Sequence, residues 1–408
     1  MDVRAGVAGA GVPVSGWRIL DYRLGAETVD RIVMVFAALS ATYMILALQY
    51  TLQNRQAYQF GDFYALWTSA VVTHQGDAAV NFDADALHLR QVALGMTPNG
   101  YNPFPYPPTL LTLLGPLGGL PLGVAFYVFM VPSFLAYLFA LGAGRWRDWA
   151  WTLAASVAPA SAITLISGQT GFLSGALMVG GLRLLPTRPG LAGVLFGLLA
   201  YKPQLGVLVP VALLAMGCWR GLAAAVATVL ASALASGLIY GFELWSLWGH
   251  ALVDYAQRFP PVIGYMPTIQ ANAAMLGAPP RVADLAQLAV SLPVGWVVWR
   301  AWRQGPTPRA AALLLVGTFL ATPHAFNYDM PMLTPALLVY LLTQREKGMD
   351  VGEVVGLALA FVTPVLMKEL KSVGVPFSFA PLGLMFAMLA WPRDRQSAIS
   401  QTGDVNFA

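Results

Sequence analysis

Residues suited to acid–base chemistry are few in this chain, and one of them begins a long polar stretch. Asp62 lies in the run Gly61-Asp62-Phe63-Tyr64, shortly after the first apolar segment. A carboxylate there can cap the helix predicted from Phe63 by accepting backbone N–H groups. It can equally act as a general base, with partial burial raising its pKa toward a useful value. The sequence leaves both roles open.

A second candidate is an isolated cation. Lys202 lies between two apolar runs, directly before Pro203. A lone charge at membrane depth is costly and by default indicates function, although a lysine at a helix end can also extend its ammonium to the interface. Because Pro203 breaks one helix, the next helix begins there with free N–H groups. The amine and those N–H groups together favour a phosphate site.

Other polar candidates lie at the ends of apolar segments. His324, Tyr328 and Asp329 form a cluster at the end of one segment, and Gln169 follows Gly168 at a turn. We expect these four residues to contact substrate, although Gln169 could merely cap its turn and a lone histidine is often structural. Tyr106, in the run Tyr106-Pro107-Pro108, is included among the substrate-binding candidates.

Lys368 and Lys371 end a later apolar segment. They are predicted to contact a lipid phosphate, although lysines at the ends of spans often only anchor the helix. His324 with Asp329 alone is too small a donor set for a metal site. We therefore predict neither a metal nor a cofactor.

The composition indicates a membrane protein. Of 408 residues, 57% are hydrophobic and only 10% are charged, whereas soluble domains carry about 25% charged residues. Arginines and lysines stand singly between apolar runs, so the net charge of +4 reflects membrane orientation and not nucleic-acid binding. The single Cys218 excludes an intramolecular disulfide.

Apolar runs predict an all-α polytopic bundle of about twelve transmembrane helices. We expect a cytoplasmic tail over residues 1–31, a transmembrane domain over 32–391 and a disordered cytoplasmic tail over 392–408. Residues 53–120 form a long first loop. Within it, Phe63–Val72 and Asp85–Leu94 predict amphipathic helices at the membrane interface, and Thr109–Leu120, broken by Gly115-Pro116, predicts a half-helix too short to span. The predicted spans are 32–52, 121–142, 149–166, 170–185, 189–201, 203–217, 221–241, 282–301, 310–322, 330–343, 351–370 and 376–391.

The basic residues predict the orientation. With the N-terminus inside and each span crossing once, 16 of the 23 Lys and Arg residues lie on the cytoplasmic side, as the positive-inside rule requires. A half-helix that crossed fully would invert every later loop and remove this bias. The same assignment places the candidate residues on the opposite face, which the count did not use. A functional site on the extracytoplasmic side of the inner (plasma) membrane follows.

The sequence contains no phosphate-binding glycine loop, no dinucleotide fingerprint and no serine-histidine hydrolase signature. Several short motifs, in order and spacing, instead resemble glycosyltransferase family 87. The resemblance covers about Ile32 to Leu342, and no single motif in it is specific. The matching runs are Gly61-Asp62-Phe63-Tyr64, Tyr106-Pro107-Pro108, Ser167-Gly168-Gln169-Thr170, Ala200-Tyr201-Lys202-Pro203, Gly241-Phe242-Glu243-Leu244-Trp245 and Thr322-Pro323-His324 with Tyr328-Asp329.

The resemblance implies a GT-C fold and a polyprenyl-phosphate-mannose-dependent α-mannosyltransferase acting on a lipid or glycan acceptor. Asp62 would be the general base of an inverting transfer. Lys202 would stabilise the departing donor phosphate, and His324 would lie near donor or acceptor. The alternatives are a transporter or flippase of lipid-linked sugars, which usually shows paired repeats and helix breaks near the bilayer midplane, and a non-catalytic assembly subunit.

Overall fold

The computed structural model describes residues 23–53, 61–96, 101–142, 149–258, 263–371 and 373–391. Most of the expected N-terminal tail and all of the expected C-terminal tail lie outside the described residues. The described α-helices are α1 (Ala26–Gln53), α2 (Phe63–His74), α3 (Ala84–Ala93), α4 (Thr109–Leu114), α5 (Leu122–Gly142), α6 (Trp149–Ser156), α7 (Pro159–Ser167), α8 (Gly171–Leu184), α9 (Pro189–Leu198), α10 (Val209–Ala215), α11 (Trp219–Tyr240), α12 (Glu243–Arg258), α13 (Ile269–Met275), α14 (Pro280–Trp302), α15 (Pro308–Ala321), α16 (Thr334–Gln344), α17 (Val351–Lys371) and α18 (Phe379–Ala390).

Short 3-10 helices join several of these elements. They comprise Ala78–Phe82, Gly115–Gly119, Leu199–Tyr201, Pro203–Gly206, Ile263–Tyr265, Asn327–Leu333 and Arg345–Lys347. Two short strands, β1 (Arg23–Leu24) and β2 (Met349–Asp350), pair antiparallel. This ribbon ties the start of α1 to the start of α17 within an otherwise helical fold.

Four of the described helices, α1, α5, α11 and α14, are long and apolar enough to cross a membrane. In α1 only four of 28 residues are buried, and large apolar side chains such as Leu39 and Ile45 are each 64% exposed. Such a surface is stable against lipid and not against water. The prediction of an all-α membrane protein is confirmed, whereas the count of about twelve spans stays a prediction.

The described helices differ from the predicted spans at two places. The helix expected over residues 149–166 is two helices, because Pro159 starts α7 and the residue before it, Ala158, is extended (φ −53°, ψ 156°), as residues preceding proline tend to be. Helix α1 begins at Ala26 instead of Ile32. Its polar first turns carry an ion pair between Glu27 and Arg31, 2.5 Å apart and four residues apart in sequence, a spacing that favours helix.

The prediction that the first-loop helices lie at the interface as amphipathic helices is wrong for α2. Ten of its twelve residues are buried. Two of its buried hydroxyls bond to the helix's own carbonyl groups: the Thr68 hydroxyl donates to Tyr64 O (2.9 Å) and the Thr73 hydroxyl to Ser69 O (2.7 Å). By contrast, α3 buries only Ala84, Leu87 and Gln91, which share one face.

The segment predicted as a half-helix is short and interrupted in the structure. It consists of α4 followed by the 3-10 helix Gly115–Gly119, and it packs on α2 so closely that a Cβ at Gly118 would lie 2.1 Å from Ala70 O. The Tyr240 hydroxyl of α11 donates to Leu111 O (3.0 Å). The half-helix is thus held between the first loop and a long apolar helix.

The described residues form two apolar cores. The larger core joins α8 to α10 with α14 to α18. The second core is built on the first loop and combines α2, α3, α4 and α5 with Phe172, Tyr201 and the buried face of α12. Phe172 and Tyr201 carry this second core to the elements that hold the remaining candidate residues.

Candidate active site

Two turns in close backbone contact position Asp62. Gly61 has a left-handed backbone (φ +57°), and a Cβ there would lie 2.7 Å from the carbonyl oxygens of both Ile166 and Ser167. Only glycine permits this approach. The Asp62 N–H then donates to Ser167 O (2.8 Å). The first loop is therefore docked, through its backbone, on the C-terminal end of α7.

The partner turn is a left-handed helix end. Gly168 follows α7 with φ +61° and ψ 34°. The Gly168 N–H donates to Leu165 O (3.2 Å) and the Gln169 N–H to Thr164 O (3.3 Å), a typical C-terminal glycine geometry. Gln169 follows directly and is 5% exposed. The short motifs around residues 61–62 and 167–169, which are far apart in sequence, thus form one structural unit.

The Asp62 side chain does not cap its helix. Asp62 occupies the N-cap position of α2 but makes no side-chain capping hydrogen bond. Instead its Oδ2 accepts from Gln169 Nε2 (3.2 Å), and Gln169 Oε1 accepts from the Tyr106 hydroxyl (2.8 Å). The capping role that the sequence left open is excluded.

Burial changes the acid–base properties of Asp62. Asp62 is partly buried. Desolvation raises the pKa of its carboxyl above the ordinary value, while the Gln169 hydrogen bond and the positive charge of Lys202 oppose that rise. A carboxyl group with a raised pKa is better matched to general-base chemistry near neutral pH than an ordinary aspartate.

Lys202 and Asp329 form a buried ion pair. Lys202 Nζ lies 2.6 Å from Asp329 Oδ1, and the two side chains are 3% and 1% exposed. The other oxygen, Asp329 Oδ2, accepts from the Phe326 backbone N–H (3.1 Å). The amine also faces the rings of Tyr106 and Tyr328, with 5.5 and 4.9 Å to their centroids. These contacts compensate part of the cost of burying the charge.

Contacts to the Tyr328 carbonyl oxygen hold the 3-10 helix Asn327–Leu333, which carries Asp329, against α7 and α8. The Thr164 hydroxyl donates to Tyr328 O (2.7 Å), and a Cβ at Gly171 would lie 1.9 Å from the same carbonyl oxygen. The rings of Phe326 and Tyr328 stack with centroids 5.0 Å apart. The exposed His324 contacts Phe326 edge to face at 5.2 Å.

Tyr106 links the two halves of the site. Its hydroxyl bonds to Gln169, which holds Asp62, and its ring faces the amine of Lys202. The structure thus brings together Asp62, Tyr106, Gln169, Lys202, Tyr328 and Asp329, with His324 at the edge of the cluster. Sequence reasoning missed Thr164, Gly171 and Phe326. They act through backbone or stacking contacts and carry no signal in their residue types.

Two predicted residues cannot be placed in the site. Lys368 and Lys371 belong to the last turn of α17, but their side chains lie outside the described part of the chain. Among the described residues, no group of three or more His, Cys, Asp and Glu side chains is arranged to hold a metal ion.

A comparison with protein families identifies the family of the chain. The family model described as glycosyltransferase family 87 matches residues 104–323, more than half of the chain. The chain therefore belongs to glycosyltransferase family 87 and is a membrane glycosyltransferase. No curated protein and no solved structure matches it. The matched region contains Tyr106, Gln169 and Lys202, whereas Asp62 and Asp329 lie outside it.

Proposed function

We propose that this glycosyltransferase moves a hexose, with mannose the expected sugar, from a polyprenyl-phosphate sugar to a hydroxyl of a lipid or glycan acceptor, with inversion at the anomeric carbon. The observation that carries the proposal is the junction at Tyr106. It joins a partly buried carboxylate that does not cap its helix to a buried lysine. A base and a cation on either side of one cluster suit a reaction in which a proton and an anionic leaving group depart in opposite directions.

Asp62 is the proposed general base. As the acceptor oxygen bonds to the anomeric carbon, the acceptor proton passes to the Asp62 carboxylate. The bond between the anomeric carbon and the phosphate oxygen breaks on the opposite face of the sugar. A β-linked donor then gives an α-linked product. Asp62 is the suited residue because its side chain does not cap the helix and its pKa is raised by desolvation.

Lys202 is the proposed partner of the leaving phosphate. A phosphodiester carries one negative charge, and the polyprenyl phosphate that leaves gains a second as the bond breaks. A cation aimed at that oxygen stabilises the transition state more than the bound donor. Because Lys202 is 3% exposed and paired with Asp329, a direct contact requires donor binding to open this pair. His324, Tyr328, Lys368 and Lys371 remain predicted contacts for the substrates.

The proposed site faces the extracytoplasmic side of the membrane. The support is the excess of arginine and lysine on the opposite loops. A nucleotide sugar made in the cytosol would not reach such a site, so a donor carried by the membrane lipid fits better.

The test is transfer by purified protein in liposomes, with radiolabelled polyprenyl-phosphate mannose, polyprenyl-phosphate glucose or a nucleotide-activated mannose as donor and a glycolipid extract as acceptor. We expect labelled glycolipid from the polyprenyl-phosphate mannose alone, with an α linkage by NMR. Transfer from the nucleotide sugar would refute the donor assignment, and a β-linked product from a β-linked donor would refute inversion. Labelled donor that crosses the bilayer without forming product would indicate the transporter alternative.

A further inference from the structure

From the hydrogen bonds around Asp62 we infer that Gln169 is a positioning residue for the catalytic carboxylate and that Tyr106 holds Gln169 in place. Neither residue is then a substrate ligand, contrary to the expectation from sequence. The inference rests on the proposed base role of Asp62. It concerns which groups aim that base, and not which sugar is transferred.

The polar groups of Gln169 are engaged by protein. Gln169 Oε1 accepts from the Tyr106 hydroxyl (2.8 Å) and from the Thr170 backbone N–H (3.3 Å), and Nε2 donates to Asp62 Oδ2 (3.2 Å). The residue is 5% exposed. An amide has two acceptor positions and two donor hydrogens, so three of its four hydrogen-bonding positions are filled. Little of it remains for a sugar hydroxyl.

The Thr170 N–H sets the direction of this chain of bonds, because a backbone N–H can only donate and so requires the oxygen of Gln169 (3.3 Å). Gln169 Oε1 therefore faces Thr170 and Tyr106, and the Nε2 hydrogens face Asp62. The Tyr106 hydroxyl stays protonated, because burial raises the pKa of Tyr106 well above its ordinary value, with the charges of Asp329 and Asp62 adding to the rise. It then donates to Oε1 (2.8 Å) and holds the amide in this orientation.

The direction of these hydrogen bonds has two consequences for Asp62. A donated N–H on Oδ2 stabilises the carboxylate form and so opposes the effect of burial on its pKa. It also fixes the side-chain rotation, because the backbone of Asp62 is already held by its bond to Ser167 O (2.8 Å). The other oxygen, Oδ1, is then the atom that receives the acceptor proton.

The experiment is the pH dependence of kcat/KM for three variants. In Gln169→Met the side chain keeps its length and loses its amide, so the acid limb, which reports protonation of Asp62, should move up by about one pH unit, the size expected for one lost hydrogen bond to a carboxylate. Tyr106→Phe should give a smaller upward shift because Thr170 still orients the amide. The matched control is Tyr328→Phe, since both rings face Lys202, and its acid limb should stay in place.

Two results would overturn the inference. The first is a Gln169→Met enzyme with a raised KM and an unmoved acid limb, which would make Gln169 a substrate ligand. The second is an equal shift in Tyr328→Phe and Tyr106→Phe, which would make the effect non-specific.

A measurement without substrate separates this inference from the proposed function. Infrared titration follows the carboxylic-acid C=O band of Asp62, identified by its loss in Asp62→Asn. The band should persist about one pH unit higher in Gln169→Met than in the unmodified protein, whether or not any donor is turned over. An unshifted band overturns the positioning role, whereas absent transfer with a shifted band counts only against the proposed function.

Discussion

The buried ion pair between Lys202 and Asp329 makes a quantitative prediction about stability. Lys202→Met leaves the Asp329 carboxylate, 1% exposed, with no cation at 2.6 Å. Removing one partner of a buried pair typically costs about 3–5 kcal/mol in the free energy of unfolding. We expect a loss in this range.

Removing the other partner of the pair should lower the free energy of unfolding by less. In Asp329→Asn the amide oxygen can still accept from the Phe326 N–H, and the Lys202 amine keeps the Tyr106 and Tyr328 rings at 5.5 and 4.9 Å. A desolvated cation–π contact contributes up to about 2 kcal/mol. The double variant Lys202→Met with Asp329→Asn leaves no unpaired charge. Its cost should therefore fall below the sum of the single costs by about 1–3 kcal/mol.

The assay is reversible unfolding of the purified variants in mixed detergent micelles, with the coupling energy taken from the double-mutant cycle. An exposed ion pair provides the control: Arg90 and Asp77 are 2.9 Å apart, with side chains 46% and 48% exposed. The same cycle with Arg90→Met and Asp77→Asn should give about 1 kcal/mol or less. Additive costs at Lys202 and Asp329, or a coupling no larger than at the exposed pair, would refute the argument.

Three further predictions concern Asp62 and its support. Gly61→Ala should abolish transfer, because a Cβ at this position would lie 2.7 Å from two carbonyl oxygens and would displace the docked turn. Gly190→Ala is the control: no atom lies within 4 Å of the added Cβ, so turnover should be unchanged. The measurement is the transfer rate of both variants. The acid limb of kcat/KM should lie above the ordinary aspartate range because burial raises the pKa of Asp62, and a limb at or below pH 4 would contradict it. Asp62→Asn should be at least as stable as the unmodified protein at neutral pH, as unfolding measurements will check. A carboxyl whose folded pKa is raised loses its contribution to stability as the pH rises through that pKa, and the helix has no side-chain cap to lose.

Much of the site could be predicted from the sequence because each candidate is a polar residue at the end of an apolar run. Such residues are costly inside a membrane, so isolated ones stand out. Asp62, Gln169, Lys202 and Asp329 were found in this way. Their pairing was not, because the contacts join residues far apart in the chain. The ion pair spans 127 positions and the Asp62–Gln169 bond spans 107.

The wrong prediction for helix α2 has a physical origin in its hydroxyl side chains. Thr68, Ser69 and Thr73 interrupt the apolar residues of this helix, and all three are buried. Two of the hydroxyls are satisfied by the carbonyl one turn earlier, and a hydroxyl bonded in this way can be buried at small cost. Hydrophobic periodicity cannot distinguish such a residue from a solvated one.

Backbone packing explains the other features that were missed. Gly118 and Gly171 matter because a carbonyl oxygen lies where their Cβ would be. Some glycines in the chain are closely packed, and others, such as Gly190, have no atom within 4 Å of where a Cβ would be. The sequence alone does not distinguish Gly118 and Gly171 from Gly190.

The proton acceptor is the central claim, and the most direct measurement is the single-turnover rate of Asp62→Asn with bound polyprenyl-phosphate mannose. General-base catalysis typically contributes about 10²–10⁴-fold, so we predict a loss of that size with donor affinity retained. The matched control is Asp83→Asn. The Asp83 carboxylate caps α3 by accepting from the Asp85 and Ala86 N–H groups, and an asparagine oxygen can accept the same bonds. This variant should therefore react at the unmodified rate. A single-turnover rate for Asp62→Asn within a few-fold of the unmodified enzyme would contradict the account.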